Sequence, residues 1–181
     1  RNEAAAGNVI GGNYILLNGG SGSLGPAKVL GNVTLSNNST LTVTGTLYIT
    51  GNVFLSNGSK IKLSPSYGAS GGVVVVDGIV TISNGCLFEG SGQPGSYVLL
   101  LTTSSSGAAI TVSNNATGAV VLYALAGTIN LSNNTSVSEI TGYRVVMSNN
   151  SLIQYSSGLV NSFFTGGASA SWAVSSWEEK F

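Results

Sequence analysis

The sequence predicts an all-β, single-domain parallel β-solenoid, that is, a β-helix with irregular loop insertions and an aromatic capping strand at its C-terminus. Three observations carry this expectation. First, one phrase recurs six times: Ser36-Asn37-Asn38, Ser56-Asn57-Gly58, Ser83-Asn84-Gly85, Ser113-Asn114-Asn115, Ser132-Asn133-Asn134 and Ser148-Asn149-Asn150. Second, each copy follows an alternating apolar pair: Val33/Leu35, Val53/Leu55, Val80/Ile82, Ile110/Val112, Ile129/Leu131 or Val145/Met147. Third, the spacing between copies varies (20, 27, 30, 19 and 16 residues) while the phrase does not. A fixed turn with variable intervals describes one stacked unit with loops bulging from it.

Taken in order, residues 1–10 are Ala-rich and fit a short helical turn around Glu3–Ala6, so residues 1–27 read as a lead-in or cap. Tyr14–Leu17 is a short apolar strand placed to cover the first coil, and the Gly- and Ser-rich stretch 18–26 reads as a loop. From Lys28 to Leu63 the apolar residues mostly fall two apart, the period of strands with one wet face. Segment 64–72 is a second loop. Val73–Val76 and Tyr97–Thr103 are continuous apolar runs, which read as strands buried on both faces beneath insertions at 64–72 and 88–96. A Ser-rich loop follows at 104–108. The last three copies come close together, leaving little room for loops. The solenoid is expected over 1–160, with 161–181 as a Trp-containing capping segment of the same domain.

A second β architecture competes. Asn57-Gly58 within Val53–Leu63 is a strong hairpin signal, which would build an antiparallel sandwich. In the stacked reading the same Asn is a corner residue in the left-handed conformation, which Asn and Gly tolerate best. Asn37, Asn57, Asn84, Asn114, Asn133 and Asn149 then form a corner ladder, their side chains hydrogen-bonded from coil to coil. About six to eight coils at a strand spacing of about 4.8 Å make a rod on the order of 30–40 Å long. Such a rod needs caps or partners at its ends. Phe163, Phe164, Trp172, Trp177 and Phe181 are the candidates, either folded back along the rod or offered to a neighbouring subunit.

Composition excludes several functions. Charged residues make up 7% of the 181 and the net charge is zero, so Ser, Thr, Asn and Gly must wet the surface. Six Lys and Arg, only two of them near neighbours, give no basic stripe for nucleic acid. No apolar run is long enough to insert in a membrane. Histidine is absent, which removes His-activated nucleophiles and the commonest metal ligand. Away from the termini the acids are Asp77, Glu89 and Glu139. Asp77 and Glu89 could meet on neighbouring coils, but a solvated pair is the plainer account, so no catalytic, metal or cofactor residues are expected. Gly20-Ser21-Gly22-Ser23-Leu24-Gly25 matches a dinucleotide fingerprint in spacing, yet Pro26 follows and no βαβ unit surrounds it. The lone Cys86 cannot form an internal disulfide and reads as a small buried hydrophobe. Beginning at Arg1 rather than Met, the chain reads as a trimmed form whose targeting segment is gone, and an extracellular location suits its neutral, hydroxyl-rich composition.

The C-terminal third carries a resemblance. Ala119–Leu125, then 127–135, 142–150, Ile153-Gln154-Tyr155 and the closing 171–178 with Trp172 and Trp177 resemble bacterial PilX-like proteins, over roughly residues 28–181. The resemblance implies a type IV pilus-associated, prepilin-like surface protein with a repetitive β-helical exported region and no catalytic residues. Family members also carry a hydrophobic pilin helix, which this chain lacks. The expected role is a structural subunit that forms or decorates a surface filament, partnered by copies of itself or by other pilus and surface subunits. Tyr48, Tyr67, Tyr123, Tyr143 and Tyr155 are candidates for exposed contacts, with core or ladder positions as the equal alternative. A glycan-binding adhesin and a bactofilin-like cytoskeletal polymer are the alternatives.

Overall fold

A computed structural model describes residues 1–155 and 164–165. A short helix, α1 (Asn2–Ala6), leads into three strands: β1 (Asn8–Ile10), β2 (Tyr14–Leu16) and β3 (Ser21–Leu24). The next coil repeats them as β4 (Ala27–Val29), β5 (Val33–Leu35) and β6 (Thr40–Val43), and the third as β7 (Leu47–Ile49), β8 (Val53–Leu55) and β9 (Lys60–Leu63). Then follow β10 (Gly71–Val76), β11 (Val80–Ile82) and β12 (Leu87–Glu89), and after them β13 (Val98–Thr102), β14 (Ile110–Ser113) and β15 (Thr117–Gly118). In the last two coils one long strand covers the first two sides: β16 (Val120–Ser132) precedes β17 (Ser136–Val137), and β18 (Glu139–Met147) precedes β19 (Leu152–Ile153).

Every strand pairing among the described residues is parallel, and each strand from β1 to β19 bonds to its counterpart one coil away. The third side alone is a 7-stranded sheet, so the described chain makes seven coils around a three-sided cross-section. This excludes the sandwich. Asn57-Gly58 joins β8 to β9, which lie in different sheets and do not pair with each other.

Alternation decides what faces inward. On the second side the column Tyr14, Val33, Val53, Val80, Ile110, Ile129, Val145 runs the length of the rod in register, beside Leu16, Leu35, Leu55, Ile82, Val112, Leu131, Met147. Val33 to Ile129 and Leu35 to Leu131 are buried. Each such aliphatic side chain contributes roughly 1.5–3 kcal/mol over an exposed one. Stacked columns of similar volume make this core continuous.

Three boundaries differ from the sequence expectation. Tyr14–Leu16 does not cover the first coil but forms its second side, and the supposed loop contains β3, whose Ser21–Leu24 pairs with Thr40–Val43. The lead-in therefore ends at Gly7, and α1 packs its buried Ala4 on the flank beside β1 and β4. The loop expected from residue 88 begins after Glu89, because Leu87–Glu89 is β12. The apolar runs also differ from each other. β10 buries Val74, Val75 and Val76, whereas β13 alternates buried and half-buried residues.

Of the proposed cap residues, Phe163, Trp172, Trp177 and Phe181 lie outside the described residues. Phe164 belongs to β20 (Phe164–Thr165), which pairs in parallel with Gly71–Gly72. Among the described residues no helix is long and apolar enough to cross a membrane.

Candidate functional site

The recurring phrase occupies one edge of the prism, between the second and third sides, and holds the same backbone shape in every coil. Two successive residues there have positive φ: Asn37 and Asn38 (54° and 61°), Asn57 and Gly58 (53° and 72°), Asn114 and Asn115 (54° and 61°), Asn133 and Asn134 (58° and 59°), for example. A left-handed residue other than Gly costs about 1–2 kcal/mol, least for Asn, which explains why only Asn and Gly stand in both places. There is a seventh copy, Asn18-Gly19, with φ of 53° and 75°. It has no Ser-Asn signature, because Leu17 stands where the other six copies have Ser.

The side chains of the first corner position form one uninterrupted ladder. Nδ2 of each Asn donates to Oδ1 of the Asn one coil earlier: Asn37 to Asn18 at 3.0 Å, Asn57 to Asn37 at 3.1 Å, Asn84 to Asn57 at 3.1 Å, Asn114 to Asn84 at 3.0 Å, Asn133 to Asn114 at 2.8 Å and Asn149 to Asn133 at 2.9 Å. A backbone column runs beside it in the opposite sense. Gly19 N–H donates to the Asn37 carbonyl, Asn38 to Asn57, Gly58 to Asn84, Gly85 to Asn114, Asn115 to Asn133 and Asn134 to Asn149.

Immediately after each corner, one small residue turns inward. Ser39, Ser59, Cys86, Ala116 and Thr135 are all buried there. The Ser59 hydroxyl donates to the carbonyl of Ser56, and the Cys86 thiol makes the matching bond to Ser83 at 2.9 Å. Cys86 therefore stands where a sister coil has Ser, and burial pushes its thiol pKa up, which disfavours the reactive thiolate. Ser59-Lys60-Ile61-Lys62 has the Ser-x-x-Lys spacing, but on a strand residues three apart face opposite ways. Ser59 is buried and Lys62 lies on the outer face.

The edge between the first and second sides carries another repeat, Gly12-Asn13, Gly31-Asn32 and Gly51-Asn52, which the sequence reading did not single out. Asn13 Oδ1 accepts from Asn32 N–H at 2.8 Å, Asn32 Oδ1 from Asn52 N–H at 2.8 Å, and Asn52 Oδ1 from Ile79 N–H at 2.9 Å. Pairs of Gly-Asn 19 and 20 residues apart were the available signal.

Two ion pairs take up four of the charges. Arg1 pairs with Asp77, whose other oxygen accepts from the Tyr48 hydroxyl at 2.6 Å, and the Arg1 and Lys28 cations lie 5.0 and 5.3 Å from the centre of the Tyr48 ring. Glu89 binds Lys60 at 2.6 Å on the third side. Asp77 and Glu89 thus sit on different parts of the prism with separate cationic partners and do not form a carboxylate pair. Among the described residues no group of three or more His, Cys, Asp or Glu is placed to hold a metal ion.

The tyrosines divide. Tyr143 and Tyr155 are 80% and 60% exposed, Tyr48 is held in the Arg1–Asp77 cluster, and Tyr67 is buried. The Tyr67 hydroxyl lies buried without a hydrogen-bond partner, and burial, assisted by the Glu3 carboxylate, pushes its pKa up to about 12. The unfolded phenol ionises near 10, so the folded state holds its proton more tightly. Stability is full below pH 10 and falls as pH rises from about 10 to about 12, by roughly 2–3 kcal/mol. Tyr67→Phe is expected to flatten that fall and to be neutral or stabilising at pH 7. Urea unfolding at pH 7, 10 and 11.5 reads both effects; a wild-type-like alkaline loss in the variant refutes them.

Two further features face solvent. A groove of about 590 Å³ is lined by Tyr97, Ser136, Ser138, Gln154 and Tyr155 among others. At the last coil, Val145, Met147 and Ile153 occupy inward-facing positions of the columns yet are 40, 42 and 39% exposed, because no described strand lies beyond them. Comparison with protein-family models, curated proteins and solved structures gave no match.

Proposed function

We propose that the protein is a non-catalytic structural subunit of the bacterial cell surface that forms or decorates an extracellular, pilus-like filament. The observation that carries this reading is the last coil, whose core positions Val145, Met147 and Ile153 are open to solvent, whereas the same columns are buried in the middle coils. An open β-edge backed by apolar side chains is a template for another chain. The near absence of charge removes the repulsion that keeps most proteins apart. The resemblance to PilX-like proteins points the same way, and Asp77 and Glu89 are each paired with a cation rather than with another carboxylate.

Negative-stain microscopy of native surface material and of the concentrated protein tests the reading. Fibres or end-joined rods are expected. Monodisperse particles at all concentrations, together with cell surfaces free of the protein, refute it.

A glycan-binding adhesin is the second reading, favoured by the groove that brings Tyr97 and the exposed Tyr155 together with Gln154 and the hydroxyls of Ser136 and Ser138. Tyrosine faces with amide and hydroxyl donors suit sugars. Binding on a glycan array, lost in Tyr155→Ala, supports it.

A further inference from the structure

We propose that copies of this chain join head to tail, the last coil of one lying against the first coil of the next, with the Asn corner setting the register. The inference rests on the filament reading and specifies its contact. It follows from the polarity of the two hydrogen-bond columns on the corner edge.

In the side-chain column every bond runs from a later Nδ2 to an earlier Oδ1. The column therefore ends with an unused donor at Asn18 Nδ2 and an unused acceptor at Asn149 Oδ1. In the backbone column every bond runs from an earlier N–H to a later carbonyl. That column ends with an unused acceptor at the Asn18 carbonyl and an unused donor at the Asn150 N–H. Each end presents one donor and one acceptor, and only unlike ends meet with the side-chain-to-side-chain and backbone-to-backbone bonds repeated at every step inside the chain. Like ends would have to pair side chain with backbone in an antiparallel arrangement, which occurs nowhere among the described coils.

The apolar columns agree in register. Continuing them across the junction places Tyr14 against Val145 and Leu16 against Met147, the two ends of columns whose members stack one coil apart within the chain. After Tyr155 the chain is next described at β20, paired with Gly71–Gly72 on the flank. A contact between two different surfaces does not close on itself unless the rotation brings it round, so it propagates into a filament.

Cross-linking tests the contact. In a Cys86→Ser background, Asn18→Cys and Asn149→Cys are combined in one chain. Within a chain the two sites are six coils, roughly 29 Å, apart, but across the proposed junction they are one strand spacing apart, about 4.8 Å. Disulfides form at Cα separations of about 4.4–6.8 Å. Oxidation of the concentrated protein is expected to give a ladder at successive multiples of 18.2 kDa, while either single variant stops at dimer. A double variant that also stops at dimer overturns the proposal.

A gentler variant, Asn18→Asp, keeps the Oδ1 that accepts from Asn37 but replaces the free donor with a carboxylate oxygen. It is expected to leave the melting of the dilute monomer unchanged while raising the concentration needed for fibres at least tenfold. An unchanged threshold overturns the contact. Wild-type fibres without the cross-linked ladder would refute end-to-end stacking and leave the filament reading standing on lateral packing. Absence of both fibres and ladder would refute both.

Discussion

Asn114→Val is expected to destabilise the protein by about 2–4 kcal/mol, whereas Asn114→Gly costs about half of that or less. The corner at Asn114 needs two things that these substitutions separate. The backbone needs φ near 54°, which a β-branched residue adopts only under strain of about 1–2 kcal/mol or more, and which Gly adopts freely. The ladder needs an amide that gives one bond to Asn84 and takes one from Asn133, each worth about 0.5–1.5 kcal/mol. Val loses both; Gly loses the bonds and part of its unfolded-state advantage. Asn114→Asp keeps the conformation and the bond from Asn133 but sets a carboxylate oxygen against Asn84 Oδ1, and that repulsion places it between them. Chemical denaturation of the three variants orders them. If Gly proves as damaging as Val, strain is not what selects Asn at this edge.

Leu100→Ala is expected to cost about 2–5 kcal/mol, the range for a large buried aliphatic replaced without collapse of its surroundings. Leu100 is fully buried, and in its column Val74 lies on one side and Leu122 on the other, both held by strand pairing. A rigid ladder on either side leaves the cavity little room to close. Leu125 makes the control. It is 63% exposed where β16 rounds the edge between the first and second sides, so Leu125→Ala should shift stability by no more than about 0.5 kcal/mol. Because solenoids unfold as coupled nearest-neighbour units, the transition should be followed by two probes, such as circular dichroism and tyrosine fluorescence. Similar losses for the two leucines would mean that the continuous core does not carry the fold.

Much of this architecture was legible in the residues. The six Ser-Asn phrases mark one geometric edge, and the alternation before each marks strands of one side. The reason is local: left-handed backbone and period-two burial both leave a direct imprint on residue choice. What stayed hidden was imposed from outside the segment. Ser21–Leu24 looks like a loop because Gly and Ser have no strand preference, and it becomes β3 because Thr40–Val43 offers it a full set of backbone partners. Asn18 went unseen because its neighbour Leu17 broke the phrase, although its φ matches the others. The pairing of Arg1 with Asp77 spans 76 residues and has no local signature. The raised pKa of Tyr67 likewise depends on its burial at the 3₁₀ turn Pro65–Tyr67 and on the charge of Glu3, which is remote in sequence.

The corner edge also differs from the other two in how it handles length. Its segments at 17–20, 36–39, 56–59 and 83–86 match residue for residue, while the additional chain falls at 64–70, 90–97 and 103–109 on the other edges. A ladder bonded at every step admits no extra residue without breaking two columns at once. Among the described residues the edge between the third and first sides carries no such ladder, and the Asn column between the first and second sides ends at Ile79, before the insertion at 103–109. For anyone grafting an epitope, a tag or a whole domain into this rod, the Asn edge is a closed seam and the loops at 64–70 and 90–97 are its ports. A whole coil, cut from one Asn corner to the next, is the natural unit by which the rod could be lengthened or shortened.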